Sequence, residues 1–294
     1  MGVITANSIQ LAYESFGNDE DPCVMLIRGL SSQLIYWPET LIDPIVAAGY
    51  RVLTFDNRDA GLSEKIKAPC DLDEVIADLI AGEKPDVPYT LHDMATDSAA
   101  LLAALDIDQA HIMGISMGGR IAQLVAALFP HHVLTLSTVM SSTGNPALSR
   151  PAQHILDAVA GKSPTEKSKW VDKQIADEKL WEGSLYPHDE AHFRDVFSHA
   201  YDRCFTPDGT TRQLAAIYAT GDQRDFCKEI TAPTLVIHGN DDTLIPPDGG
   251  EDTAACISGA QLELIRGMGH DIPPQLGSKI AESMLHHFKR TDAP

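Results

Sequence analysis

The stretch "HIMGISMGGR", residues 111–120, sets a serine between glycines in Gly114-Ile115-Ser116-Met117-Gly118. Before it, "AHIMGIS" (110–116) reads as an apolar, buried strand. After it, "GGRIAQLVAALF" (118–129) carries a helical pattern ended by Pro130. A strand, a tight glycine turn and a helix make a setting in which a serine oxygen is pushed above a sheet edge as a nucleophile. The structural alternative is a glycine-rich turn without chemistry. The five-residue pattern by itself arises by chance in about one chain of this length in ten, so context has to decide.

Working outward, β-branched apolar runs alternate with helical patterns. Strands are expected at 9–17, 23–29, 50–56, 110–116 and 132–142, and helices at 36–49, 90–105 and 118–129. That rhythm implies a mostly parallel sheet with helices on both faces. It breaks at about residue 143, where the chain becomes charged, aromatic and mostly helical. "PTLVIHG" (233–239) and "QLELIRG" (261–267) resume the sheet, and "LGSKIAESMLHHF" (276–288) closes with a helix. The expected organisation is an α/β core of residues 1–142 and 224–294, with 143–223 inserted as a helical cap on the sheet's C-terminal edge. Open α/β sheets bind their ligands at that edge.

A serine nucleophile needs a base and an orienting acid, here expected after later strands in the order acid, then histidine. "NDDTLIP" follows the strand at 233–239, and brings Asp241 and Asp242. "MGHDIP" follows the strand at 261–267, and brings His270. The three groups fall in the required order, which turns the glycine-flanked serine into a nucleophile.

These motifs resemble the α/β-hydrolase-fold serine hydrolases over nearly the whole chain. The family's G-x-x-D-x-x-x-P pattern matches Gly239 to Pro246 and selects Asp242 over Asp241; its G-x-G-H loop matches Gly267-Met268-Gly269-His270. "VMLIRGLSSQLIYWP", "FDNRDAGLSE", "GISMGGRIAQ" and "GMGHDIP" together resemble the branch containing aclacinomycin methylesterase and related bacterial carboxylesterases. The resemblance implies a Ser116–Asp242–His270 triad, an oxyanion hole from the backbone N–H groups of Leu30 and Met117, and no cofactor. Where the family usually has His-Gly before the oxyanion loop, this chain has Arg28-Gly29, so the loop must find other supporting hydrogen bonds. Arg28 is expected to be a buried cation paired with an acid. In "DNRDAGLSE", Asp56, Arg58, Asp59, Gly61 and Ser63 are expected to form an Arg–Asp network that fixes a turn beside the oxyanion loop.

The remaining histidines read as structure: His238 as packed below the acid, and His188, His192 and His199 as cap residues without metal-binding geometry. The stripe Phe193, Val196, Phe197, Tyr201, Cys204 and Phe205 reads chiefly as cap core. A formal charge of −20 argues against nucleic acid and against highly anionic substrates. Five scattered cysteines argue for reduced thiols rather than disulfides or zinc. No apolar run approaches a membrane span and the first residues do not resemble a signal peptide, so a cytoplasmic location is expected.

The chemistry expected is hydrolysis of small to medium carboxylic esters. The alternatives are a methylesterase of a polyketide-like metabolite, a carbon–carbon bond hydrolase, a cofactor-free perhydrolase, and a ligand receptor on the same fold. Serine at the elbow disfavours dehalogenase and epoxide hydrolase activities, whose relatives use Asp there. The sequence carries no signature of an oligomeric state.

Overall fold

The computed structural model describes residues 1–290. In chain order its elements are β1 (Gly2–Ala6), β2 (Ile9–Phe16), β3 (Cys23–Ile27), α1 (Glu39–Ala47), β4 (Arg51–Phe55), α2 (Leu72–Ala81), α3 (Leu91–Ala104), β5 (Ala110–Ile115), α4 (Met117–Leu128) and β6 (Val133–Val139). Five helices follow: α5 (Gln153–Ala160), α6 (Lys167–Glu178), α7 (Glu190–Arg203), α8 (Pro207–Thr220) and α9 (Arg224–Lys228). The sheet resumes with β7 (Thr234–Gly239), α10 (Asp248–Cys256) and β8 (Gln261–Ile265), and α11 (Pro274–Phe288) ends the described chain.

The sheet has eight strands in the order β1-β2-β4-β3-β5-β6-β7-β8. The pairings β1–β2 and β2–β4 are antiparallel, and all the others are parallel. Every residue of β3, β4, β5 and β7 is buried, because helices cover both faces of the centre. The edge strand β1 instead alternates half-buried and exposed positions. One core, built from Leu53, Phe55, Leu101, Ile112, Ile121 and their neighbours, lies under α3 and α4. The other, with Val24, Ile45, Val139, Ile280 and Phe288, lies under α1 and α11.

Each strand expected from the sequence is present, with ends trimmed by a few residues. The helix expected at 36–49 begins only at Glu39. Pro38 holds Trp37 in an extended conformation, and a 3₁₀ turn at Leu34–Tyr36 precedes it. Three elements had no counterpart in the sequence reading: β1, α2 and α10. α2 repeats apolar residues at helical spacing (Leu72, Val75, Ile76, Leu79 and Ile80), a signal the sequence reading missed, and it lies against α8. Among the described residues no helix is long and apolar enough to cross a membrane.

Candidate active site

Ser116 stands at the junction of β5 and α4 with φ 53° and ψ −124°. This conformation is strained for a side-chain-bearing residue and is held by the packing around it. A Cβ on Gly114 would lie 2.0 Å from the Gly118 carbonyl oxygen, and one on Gly118 would lie 2.2 Å from that of Ile27. These two glycines let α4 start directly against β5 and the end of β3. The Ser116 N–H donates to Val139 O (3.0 Å), and Ser141 Oγ donates to Ser116 O (2.8 Å).

Asp242 and His270 come from the turns after β7 and β8. Asp242 is buried, and its Oδ1 accepts the N–H groups of Leu244 (2.9 Å) and Ile245 (2.8 Å). Its Oδ2 faces His270 Nδ1 at 2.7 Å, and His270 Nε2 lies 3.0 Å from Ser116 Oγ. Burial works against the ionised carboxyl, but His270 and His238 outweigh it and hold its pKa below the usual value. Asp241 is half-buried and instead accepts the N–H of Ser184 (3.1 Å). The residue that the family pattern selected is therefore the one in line with His270. His238 lies beneath the acid as expected: its Nε2 is 2.8 Å from Ile245 O and 3.4 Å from Asp242 Oδ2.

The loop after β3 lies against the elbow. A Cβ on Gly29 would be 3.1 Å from Ser116 Cβ, which brings the backbone of Gly29 close beside Ser116. Met117 opens α4, so its N–H has no acceptor within the helix. The support that a His-Gly loop would supply comes from elsewhere. Asn57 Nδ2 donates to Arg28 O (3.0 Å), and the Ser31 N–H donates to Gln213 Oε1 (2.7 Å).

A family model described as alpha/beta hydrolase fold matches residues 22–274. The chain belongs to the α/β hydrolase fold family. This hydrolase is 26% identical over 306 residues to the rhodomycin D methylesterase DnrP of Streptomyces peucetius, with 98% of this chain and 97% of that protein covered. It is 28% identical over 239 residues to a 2-hydroxy-6-oxononadienedioate/2-hydroxy-6-oxononatrienedioate hydrolase of Cupriavidus pinatubonensis, covering 78% and 73% of the two chains. Among solved structures, it shares its fold with the meta-cleavage product hydrolase CumD of Pseudomonas fluorescens. The TM-score is 0.77 at 18% identity, with 99% of this chain and 98% of that one covered.

In the hydrolase, Ser116 and His270 open onto a cavity of about 800 Å³. Its walls come from the loop after β3 and from the helices between β6 and β7, and include Tyr36, Trp37, Trp170, Trp181 and Phe197. The aromatic stripe that runs along α7 to Phe205 is both packed core and cavity wall. Phe197 is buried against Val171 and Ile175, while Phe193, Val196, Phe197 and Phe205 also line the cavity. The segment after α6 is tied to the loop of His270, whose N–H donates to Trp181 O (2.8 Å). The sequence reading missed this contact, because no local pattern announces a carbonyl that meets a loop about 90 residues later.

The turn at 56–63 is a structural network, with partners outside the motif. Arg58 pairs with Asp97 of α3 (2.6 Å) and Asp59 with Arg212 of α8 (2.8 Å). Asp56 receives the Leu34 and Leu62 N–H groups and pairs with Arg203 (2.7 Å). Arg28 departs from expectation. It is buried, but among the described residues its guanidinium forms no ion pair; it sits over the rings of Trp37 (4.7 Å) and Tyr36 (5.6 Å) and lines the cavity. Its place on the loop before Gly29 directs it to the cavity wall rather than to an acid. His188 likewise has more context than its sequence suggested, lying 3.3 Å from Asp271. The ligating atoms of Glu178, His188 and Asp271 fall within 4.8 Å of one another.

Proposed function

We propose that this enzyme is a serine carboxylic-ester hydrolase for small to medium esters, working through Ser116, His270 and Asp242. The observation that carries the reading is the continuous line from Asp242 Oδ2 to His270 Nδ1 (2.7 Å) and from His270 Nε2 to Ser116 Oγ (3.0 Å), in the wall of a cavity of about 800 Å³. His270 takes the Ser116 proton as Oγ bonds to the ester carbonyl carbon. The Leu30 and Met117 N–H groups receive and stabilise the oxyanion. His270 then protonates the departing alcohol. Water, deprotonated by the same imidazole, attacks the acyl-enzyme and frees the acid. Asp242 holds the imidazole in the tautomer that leaves Nε2 free to accept a proton. The segment 143–223 serves as the cap that shapes the substrate.

A second reading, a methylesterase of a polyketide-like acid, is favoured by the cavity's size and its aromatic walls, which suit an extended, flat acid part. Hydrolysis of p-nitrophenyl esters from acetate to palmitate, with Ser116→Ala in parallel, tests the proposal. A burst and steady turnover on short and medium chains, abolished in the variant, is the expected result. Turnover that survives in Ser116→Ala, or none on any chain length, would overturn it.

A further inference from the structure

Arg28 stands apart from the other buried arginines of the chain. Arg58 and Arg212 pair with Asp97 and Asp59. Arg51 reaches Asp19 (3.3 Å) and Ser15 Oγ (2.8 Å), and Arg120 donates to Gln223 Oε1 and to the carbonyl oxygens of Ile217 and Gly221. Arg28 is as buried, at 6% exposure, yet among the described residues its guanidinium makes no hydrogen bond, and its Nε is enclosed without an acceptor. Burial lowers its pKa, and the more distant Asp271 and Glu178 only partly offset that effect. A guanidinium stays charged under such conditions, and an enclosed donor without an acceptor is costly. Two aromatic rings hold the group in place, and the cavity is its open side.

The acids around the cavity do not neutralise it. Asp59 is matched by Arg212, Asp177 by Lys173, and Asp271 by His188. Burial resists the His188 imidazolium, but Asp271, Glu178 and Glu182 outweigh it and raise its pKa. Glu178 accepts from Trp181 Nε1 (2.9 Å), and burial, then Asp271, raises its carboxyl's pKa and favours the neutral form. Glu39 is exposed to solvent. A fixed positive charge with free donors therefore faces the space beside the nucleophile.

We infer that Arg28 anchors a carboxylate carried by the substrate, and that the preferred substrates are esters with one free acid group a short spacer away from the scissile bond, such as half-esters of dicarboxylic acids. A carboxylate matches the planar donor fork of a guanidinium and supplies both the missing acceptors and the missing charge. A short spacer suits the shared cavity, because Arg28 directly precedes Gly29, where a Cβ would lie 3.1 Å from Ser116 Cβ, and Arg28 and Ser116 both line it. The chain's overall charge of −20 does not oppose this. That charge sits largely on solvated side chains, whose field salt screens, whereas Arg28 acts at contact range inside the cavity. This inference rests on the ester-hydrolase reading.

The test pairs turnover with binding. For the wild type, kcat/KM is measured on monoethyl succinate, glutarate, adipate and pimelate, and on neutral ethyl esters of matched acyl length. The best half-ester is expected to exceed its neutral match at least tenfold; Arg28→Gln should erase that ratio and Arg28→Lys should keep part of it. In parallel, calorimetry measures binding of the same half-ester to Ser116→Ala and to Ser116→Ala/Arg28→Gln, with at least tenfold weaker binding expected in the second. If neutral esters turn over as well as or better than half-esters, and the half-ester's Kd ignores Arg28, the anchor is refuted and the ester hydrolase stands. If Arg28-dependent binding occurs while no ester is turned over by the wild type, the hydrolase reading fails and the anchor stands. Should Arg28→Gln fail to fold, the wild-type comparison decides alone, since a neutral ester equal to its half-ester refutes the anchor without any variant.

Discussion

Replacing Asp242 by Asn tests the proposed mechanism most directly, because the surrounding hydrogen bonds dictate which way the new amide must face. Oδ1 of Asp242 accepts two backbone N–H groups, from Leu244 and Ile245. An amide nitrogen there would meet two donors, so the Asn oxygen must take that position. Its NH₂ then occupies the place of Oδ2, 2.7 Å from His270 Nδ1. Two donors cannot face each other, so Nδ1 becomes the acceptor and the proton moves to Nε2, the atom that has to receive the Ser116 proton. The geometry survives but the imidazole is in the wrong tautomer, which costs about 10,000-fold in kcat, or about 5 kcal/mol of transition-state stabilisation. The assay is kcat on p-nitrophenyl butyrate for Asp242→Asn beside Asp241→Asn, with thermal melts to confirm folding. Among the described residues the Asp241 side chain accepts only the Ser184 N–H, so its variant is expected to stay within about threefold of wild type. A folded Asp242→Asn that retains more than a tenth of wild-type kcat would refute the assignment of the acid.

Other predictions concern stability. The raised pKa of Glu178 means that the folded state holds a proton which the unfolded chain releases above its ordinary value of 4.5, so stability falls as pH rises from there to about 8. Glu178→Gln should flatten the Tm profile over that range in a differential scanning measurement, and parallel profiles would count against the shift. Gly118→Ala puts a methyl against the carbonyl oxygens of Ile27 and Arg28, neither of which can swing aside. A loss of at least about 1–3 kcal/mol in urea unfolding is expected, with esterase activity falling as the oxyanion loop is displaced; an unchanged midpoint would contradict it. Arg58→Met strands the buried Asp97 carboxylate and should cost about 3–5 kcal/mol, most of it recovered by adding Asp97→Leu. Equal instability of the single and double variants would show that the pair's charge is not what matters.

Much of the core fold was legible because it depends on local pattern. The fully buried runs of β3, β5 and β7 carry an unbroken apolar signal, and Gly114 and Gly118 mark an elbow whose close approach no side chain would allow. The short edge strand β1 left little trace, because its exposed positions dilute its pattern. The apolar repeat of α2, from Leu72 to Ile80, was legible and was missed.

The same division runs through the candidate site. By itself the sequence determined that Ser116, Asp242 and His270 each lie in a turn directly after a strand, in the order the proposed mechanism needs, since strand ends can be read from hydrophobicity. Tertiary structure decided what those groups are set among. Arg28 was expected to pair with an acid, as buried arginines usually do; only the packing of Tyr36 and Trp37 beside it, with Asp59 and Asp271 set against Arg212 and His188 and Glu178 pushed toward its neutral form by burial, leaves it facing the cavity. Likewise the carbonyl of Trp181 that holds His270, and the Gln213 and Asn57 side chains that brace the oxyanion loop, act across separations of about 30 to 180 residues. Such partners are chosen by how helices and loops settle on the sheet, and hydrogen bonds at that distance along the chain leave no periodicity to read.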